Sequence, residues 1–185
     1  MQKRQGHAFH ELDMIVTAYG ERGICTRLYW SDGTVEEMPV RIGTMLRRIA
    51  EMYGKTPQSA RKQWRHAHRM AAEEQFGKMA VLILSPGVML MPVKLPEKMV
   101  GRDAAIGYVN LAQPLQFLAE KDGEGARSRI VFRQSDHAIS STWTCRTLEK
   151  HRAAARHFWL EEEQRYEEER RCMRQANVYL SWYLN

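Results

Sequence analysis

Over the first forty residues, short runs rich in β-branched and aromatic side chains are separated by polar, glycine-containing turns, the pattern of β-strands. It predicts strands over 13–19, 24–30 and 35–40, joined by Gly20-Glu21-Arg22-Gly23 and Ser31-Asp32-Gly33-Thr34. The Asp32-Gly33 pair supplies the positive φ that a tight hairpin turn requires. From Ile42 the period changes. Ile42, Met45, Leu46, Ile49, Met52 and Tyr53 follow the i, i+3, i+4, i+7 rule of one helical stripe. Gly54 stands where a left-handed C-terminal cap is expected, Thr56 can cap a second helix, and Pro57 can occupy its first turn. That second helix is expected to run to Phe76, where Gly77 closes it.

Strand character returns over 79–84 and, after a Ser85-Pro86-Gly87 turn, over 88–93. Residues 94–103, with Pro96 and Gly101, read as a loop, and further strands are expected over 104–111, 115–121 and 127–134. From Ser140 to Asn185 there is no glycine or proline, and Ser and Thr capping candidates open what reads as one long helix. Its sparse seam, Leu148, Ala155, Trp159, Tyr166, Met173, Leu180 and Leu184, is compatible with heptad spacing. Glu161-Glu162-Glu163 and Glu167-Glu168-Glu169 lie near Arg165, Arg170 and Arg171 and read as a solvated face. Consecutive residues on a helix point about 100° apart, so these glutamates do not read as an acid–base pair. The apolar tail over 178–184 reads as a docked helix end or a self-association surface. The fold class expected is α+β: a small antiparallel sheet with a helix-turn-helix-like basic helix pair and a long C-terminal helix. Residues 8–160 would form a single α+β domain and 161–185 a helical extension.

Composition narrows the function. The chain has 185 residues, 44% of them hydrophobic and 27% charged, enough for one compact core. Its longest apolar run, at 79–84, is far short of the ~20 residues that cross a bilayer, and the basic start Met1–His7 lacks a signal-peptide core. Three dispersed cysteines, Cys25, Cys145 and Cys172, suit neither a disulfide framework nor a structural zinc site. A cytoplasmic protein with no membrane partner is expected. The net charge of +6 is concentrated: between Arg41 and Arg69 there are eight basic residues against Glu51 alone, leaving the rest of the chain slightly acidic. A confined excess of this kind is the footprint of a phosphate-binding surface. Arginine outnumbers lysine 20 to 8, and the guanidinium fork binds phosphate bidentately.

Helix, glycine turn, basic helix is the layout of a helix-turn-helix. On the second helix Ala60, Trp64, Ala67 and Ala71 share one face, while Gln58, Arg61, Lys62, Arg65 and Arg69 cluster on another. Arg61, Lys62, Arg65 and Arg69 are therefore expected to grip phosphates, Gln58 to reach a base edge, and Arg47, Arg48 and Lys55 to add backbone contacts. His66 and His68, two apart on a helix, point about 200° apart and cannot chelate one ion. His7 and His10 have no completing partner. No metal, no cofactor and, without a nucleotide-loop or nucleophile-elbow motif, no enzymatic activity is expected.

The run Tyr53-Gly54-Lys55-Thr56 followed by Arg61, the unit formed by 79–84, Pro86 and 88–92, and Ile130–Gln134 with Ile139-Ser140 and the helix through Lys150–Phe158 resemble the ComK family of competence transcription factors. The likeness spans roughly 23–158. It departs from the family in a shorter Pro86–Pro92 turn, in lacking a tryptophan near 106–109 and in the acidic helix after Trp159. The resemblance implies a transcription activator of competence genes that binds AT-rich double-stranded DNA as a homo-oligomer, here through the C-terminal helix. A different class of function fits the acidic helix: a phage or mobile-element inhibitor, anti-CRISPR-like, acting by protein contact or nucleic-acid mimicry.

Overall fold

The computed structural model describes residues 7–21, 23–60, 62, 81–96, 106–120 and 126–183, of which 162, 165, 166, 169 and 173–183 are described in backbone only. The fold is α+β. A short 3-10 turn, Phe9–Glu11, precedes β1 (Leu12–Gly20), β2 (Gly23–Trp30) and β3 (Val35–Met38), which form a meander. Helix α1 (Ile42–Met52) follows, then the start of α2, described over 57–60. A second meander comprises β4 (Leu82–Ser85), β5 (Val88–Lys94) and β6 (Ile106–Asn110). The two meanders join edge to edge through antiparallel β1 and β6, with Met14 opposite Val109 and Val16 opposite Gly107, giving the order β3-β2-β1-β6-β5-β4. A separate antiparallel sheet contains β7 (Leu115–Ala119), β8 (Ser128–Phe132) and β9 (Ala138–Ser141), and α3 (Cys145–Tyr183) closes the chain.

The six-stranded sheet is covered on both faces, which is why its central strands are apolar nearly throughout. Alternation sorts their side chains. Ile83, Met89, Met91, Val93 and Val109 point toward Ile130 and Phe132 of the smaller sheet and Leu148, Ala155 and Phe158 of α3. Leu82, Leu84, Val88, Leu90 and Tyr108 point the other way, against Met45, Leu46, Ile49 and Ala50 of α1 and Ala60 of α2. In β1 the period of two slips by one residue at a bulge between Leu12 and Met14, so Leu12 and Ile15 share the helix side and Asp13 is the extra residue. Gly87, in the β4–β5 turn, lies against His10, where a Cβ would come 2.8 Å from that residue's Cβ.

One expectation is corrected here. Ser140 and Ser141 end strand β9 and do not start the last helix; Ser141 Oγ and Thr142 N–H both donate to the Lys94 carbonyl and tie that strand to β5. The helix opens instead after Thr144, whose Oγ1 accepts from Thr147 N–H at 3.3 Å. Among the described side chains of α3 the buried stripe is Leu148, His151, Ala155 and Phe158, spaced 3, 4 and 3; of the expected seam Leu148 and Ala155 are on it, and the side chains of Tyr166, Met173, Leu180 and Leu184 lie outside the described residues. Trp159 is half-buried, Leu160 is exposed, and the helix continues unbroken across 160–161. Among the described residues no helix is long and apolar enough to cross a membrane.

Candidate nucleic-acid interface

The helix pair is built by local capping on both sides of its turn. After α1, Lys55 N–H donates to the Ala50 carbonyl and Gly54 N–H to the Glu51 carbonyl, each at 3.0 Å. This is the paired closure of a Schellman motif, and it requires Gly54 at its observed φ of +65°. Thr56 then caps α2. Its Oγ1 accepts from Ser59 N–H while Ser59 Oγ accepts from Thr56 N–H, both at 3.0 Å, a reciprocal capping box with serine in the third helical position. The angle between α1 and α2 is therefore set within about six residues, and the buried Ile49, Ala50, Pro57 and Ala60 hold the pair onto the sheet.

With the apolar side committed, the polar side faces solvent. Arg47 and Arg48 are exposed on α1, and Gln58 and Lys62 are exposed on α2. Arg47 and Gln58 come together across the helices: both line a groove of about 280 Å³ whose floor and walls include Gly43, Thr44, Leu46 and Pro57. Arg47 lies 4.0 Å from Glu51 at i, i+4, but both side chains are about 60% exposed, so the contact is weak and leaves the guanidinium available. Arg41, also exposed at the N-cap of α1, extends the same surface; its charge was legible, but nothing in the spacing marked its position.

Lys55 departs from its expected role. Its ammonium donates to the Ile83 carbonyl at 3.1 Å, covering the outer edge of β4, and the side chain is half-buried. It also lines a cleft with Glu163 and Glu167 of α3. Arg61, Arg65 and Arg69, with Trp64, Ala67, Ala71, His66 and His68, lie outside the described residues.

Two other polar constellations invite a chemical reading. Cys25 is buried, its Sγ donates to the Ala18 carbonyl at 3.3 Å, and burial together with neighbouring Glu37 pushes its thiol pKa up, the opposite of an activated thiolate. Ser135, Asp13 and His137 meet as well, but Ser135 Oγ donates to the Asp13 carboxylate rather than to the imidazole. In a hydrolytic triad the imidazole stands between hydroxyl and carboxylate. Here the carboxylate bridges the other two, an arrangement that fastens segments. Among the described residues no group of three or more His, Cys, Asp or Glu side chains could hold a metal ion.

Comparison with protein-family models, with curated proteins and with solved structures gives no match.

Proposed function

We propose that the chain is a DNA-binding regulator that holds duplex backbone with the outward side of the α1–α2 pair. Arg47, Arg48 and Lys62 contact phosphates, the charges of Arg61, Arg65 and Arg69 in the same stretch of sequence add to the attraction, and Gln58 at the start of α2 reaches a base edge. One observation carries the reading: a doubly capped helix–turn–helix buries its apolar side, while Arg47, Arg48, Gln58 and Lys62, from a stretch of strongly positive charge, are all exposed. The chemistry is non-enzymatic and cofactor-free. The likeness to the ComK family supports the finer reading of a cytoplasmic activator of competence genes, working on AT-rich DNA as an oligomer joined through the C-terminal helix.

A second reading is favoured by a specific feature, the exposed Glu161, Glu163, Glu167 and Glu168 on the part of α3 beyond Trp159. A negatively charged rod of this kind suits an inhibitor that mimics nucleic acid. A gel-shift panel of AT-rich and GC-rich duplexes at two ionic strengths tests the two together. The regulator retains AT-rich duplex preferentially and loses it as salt rises; a chain that retains neither duplex at low salt is not a DNA-binding regulator.

A further inference from the structure

Trp159, Glu163, Glu167 and Arg170 recur at i, i+4, i+8 and i+11, so one side of α3 presents them in a line. That line forms one wall of a cleft of about 380 Å³. The opposite wall is Tyr53 and Lys55, from the turn between α1 and α2, with the β4–β5 turn below. The position of the wall is set by the core: Ala155 and Phe158, one turn earlier, are buried against the sheets. Both glutamates are exposed.

We infer that this acidic side of α3 screens the turn end of the helix pair and competes with polyanion for it. The inference rests on the nucleic-acid reading above and names a regulation of that same surface. A phosphate approaching Lys55 would enter a cleft whose far wall carries two carboxylates against the one guanidinium of Arg170, and exposed charges act over ~8 Å at physiological salt. Lys55 is turned toward the Ile83 carbonyl, leaving Arg41, Arg47, Arg48 and Lys62 as the exposed cations of the described part of the helix pair. Full engagement of the turn end then requires α3 to lose its carboxylates or to move aside. The acidic helix is thus an internal rival for the basic surface, and its displacement is a means of control.

The test compares two pairs of substitutions with the same change in net charge. Glu163→Gln with Glu167→Gln neutralises the cleft wall; Glu161→Gln with Glu168→Gln neutralises positions about 130° round the helix. Binding of an AT-rich duplex is measured by fluorescence anisotropy on the full chain at low and moderate salt, with circular dichroism checking the fold. The cleft pair is expected to bind about fivefold tighter than the unaltered chain and the other pair distinctly less so, the gap shrinking as salt rises. Equal effects of the two pairs, or no effect of the cleft pair, would overturn the screening role while leaving salt-sensitive DNA binding intact. Absence of binding by all three proteins would overturn both readings.

Discussion

Nδ1 of His137, in the turn between β8 and β9, lies 3.2 Å from the carboxylate of Asp13, the extra residue of the β1 bulge. Ser135 donates to the same carboxylate oxygen, and Nε2 of His137 lies 3.3 Å from the Gly33 carbonyl in the β2–β3 turn. One buried acid thereby fastens three segments and locks the smaller sheet onto the larger. The carboxylate is 1% exposed and its second oxygen has no hydrogen-bond partner among the described residues.

That burial raises the Asp13 pKa, with the hydrogen bonds from Ser135 and His137 opposing the shift. A carboxyl with a raised folded pKa binds more protons folded than unfolded across the interval between the two values. Its contribution to stability is therefore fully present below the ordinary carboxylate pKa of ~4 and is lost as pH rises through the folded value. Denaturant unfolding across this interval should show that decline in the unaltered protein and a flatter profile in Asp13→Asn. Asp13→Ala, which strips Ser135 and His137 of their acceptor, should cost about 2 kcal/mol. An unchanged profile in Asp13→Asn would remove this carboxyl from the account.

Asn110 uses its whole hydrogen-bonding capacity inside the core. Its Oδ1 accepts from Met89 N–H at 3.0 Å and Ala112 N–H at 3.2 Å, and its Nδ2 donates to the Leu12 and Gly87 carbonyls at 2.9 and 3.0 Å. It therefore bonds the entry of β1 to the β4–β5 turn at the point where the two meanders meet. No other side chain of that size offers two donors and two acceptors in this arrangement. Asn110→Leu should destabilise the fold by about 3 kcal/mol, measured by chemical denaturation, because four backbone groups, those of Met89 and Leu12 buried, lose a partner at once. Asn110→Asp should also destabilise, since it loses both donors and adds a buried charge.

At Gly54 the demand is conformational. A residue with a Cβ at φ +65° costs about 1 kcal/mol, so Gly54→Ala should lower thermal stability by a few degrees while Gly54→Asn loses less. Thr56→Ala removes the cap of α2 and should cost about 1 kcal/mol. Both substitutions leave every cation in place, yet each loosens the angle between the helices. Duplex binding should weaken more in Thr56→Ala than in Leu115→Ala on β7, a buried-leucine truncation that destabilises the fold at least as much.

What was legible in the sequence was local. The hairpin at Asp32-Gly33, the stripe of α1, the cap at Gly54 and the start of α2 at Thr56 depend on residues within a few positions of one another, and each is found where the pattern puts it. The joining of β1 to β6 depends on partners more than ninety residues apart, which no local period encodes. Ser140 and Ser141 read as helix-capping sequence because serine serves in strands and caps alike; pairing with β8 decides it. His151 is a polar residue outside any apolar period, yet it is buried edge-on to Trp143, with ring centroids 4.5 Å apart, and so belongs to the packed stripe of α3. Lys55 shows the same limit at the candidate site. Charge along a sequence does not say which carbonyl an ammonium will meet.

The central claim is that the exposed cations of α1 and α2 bind a polyanion, and the salt dependence of duplex affinity tests it most directly. With about five phosphates neutralised, log K against log salt should fall with a slope near −4.5, and Arg47→Glu with Arg48→Glu should make that slope shallower by about 2 while helix content stays unchanged. A slope close to zero, or one that the double substitution leaves untouched, would contradict the account.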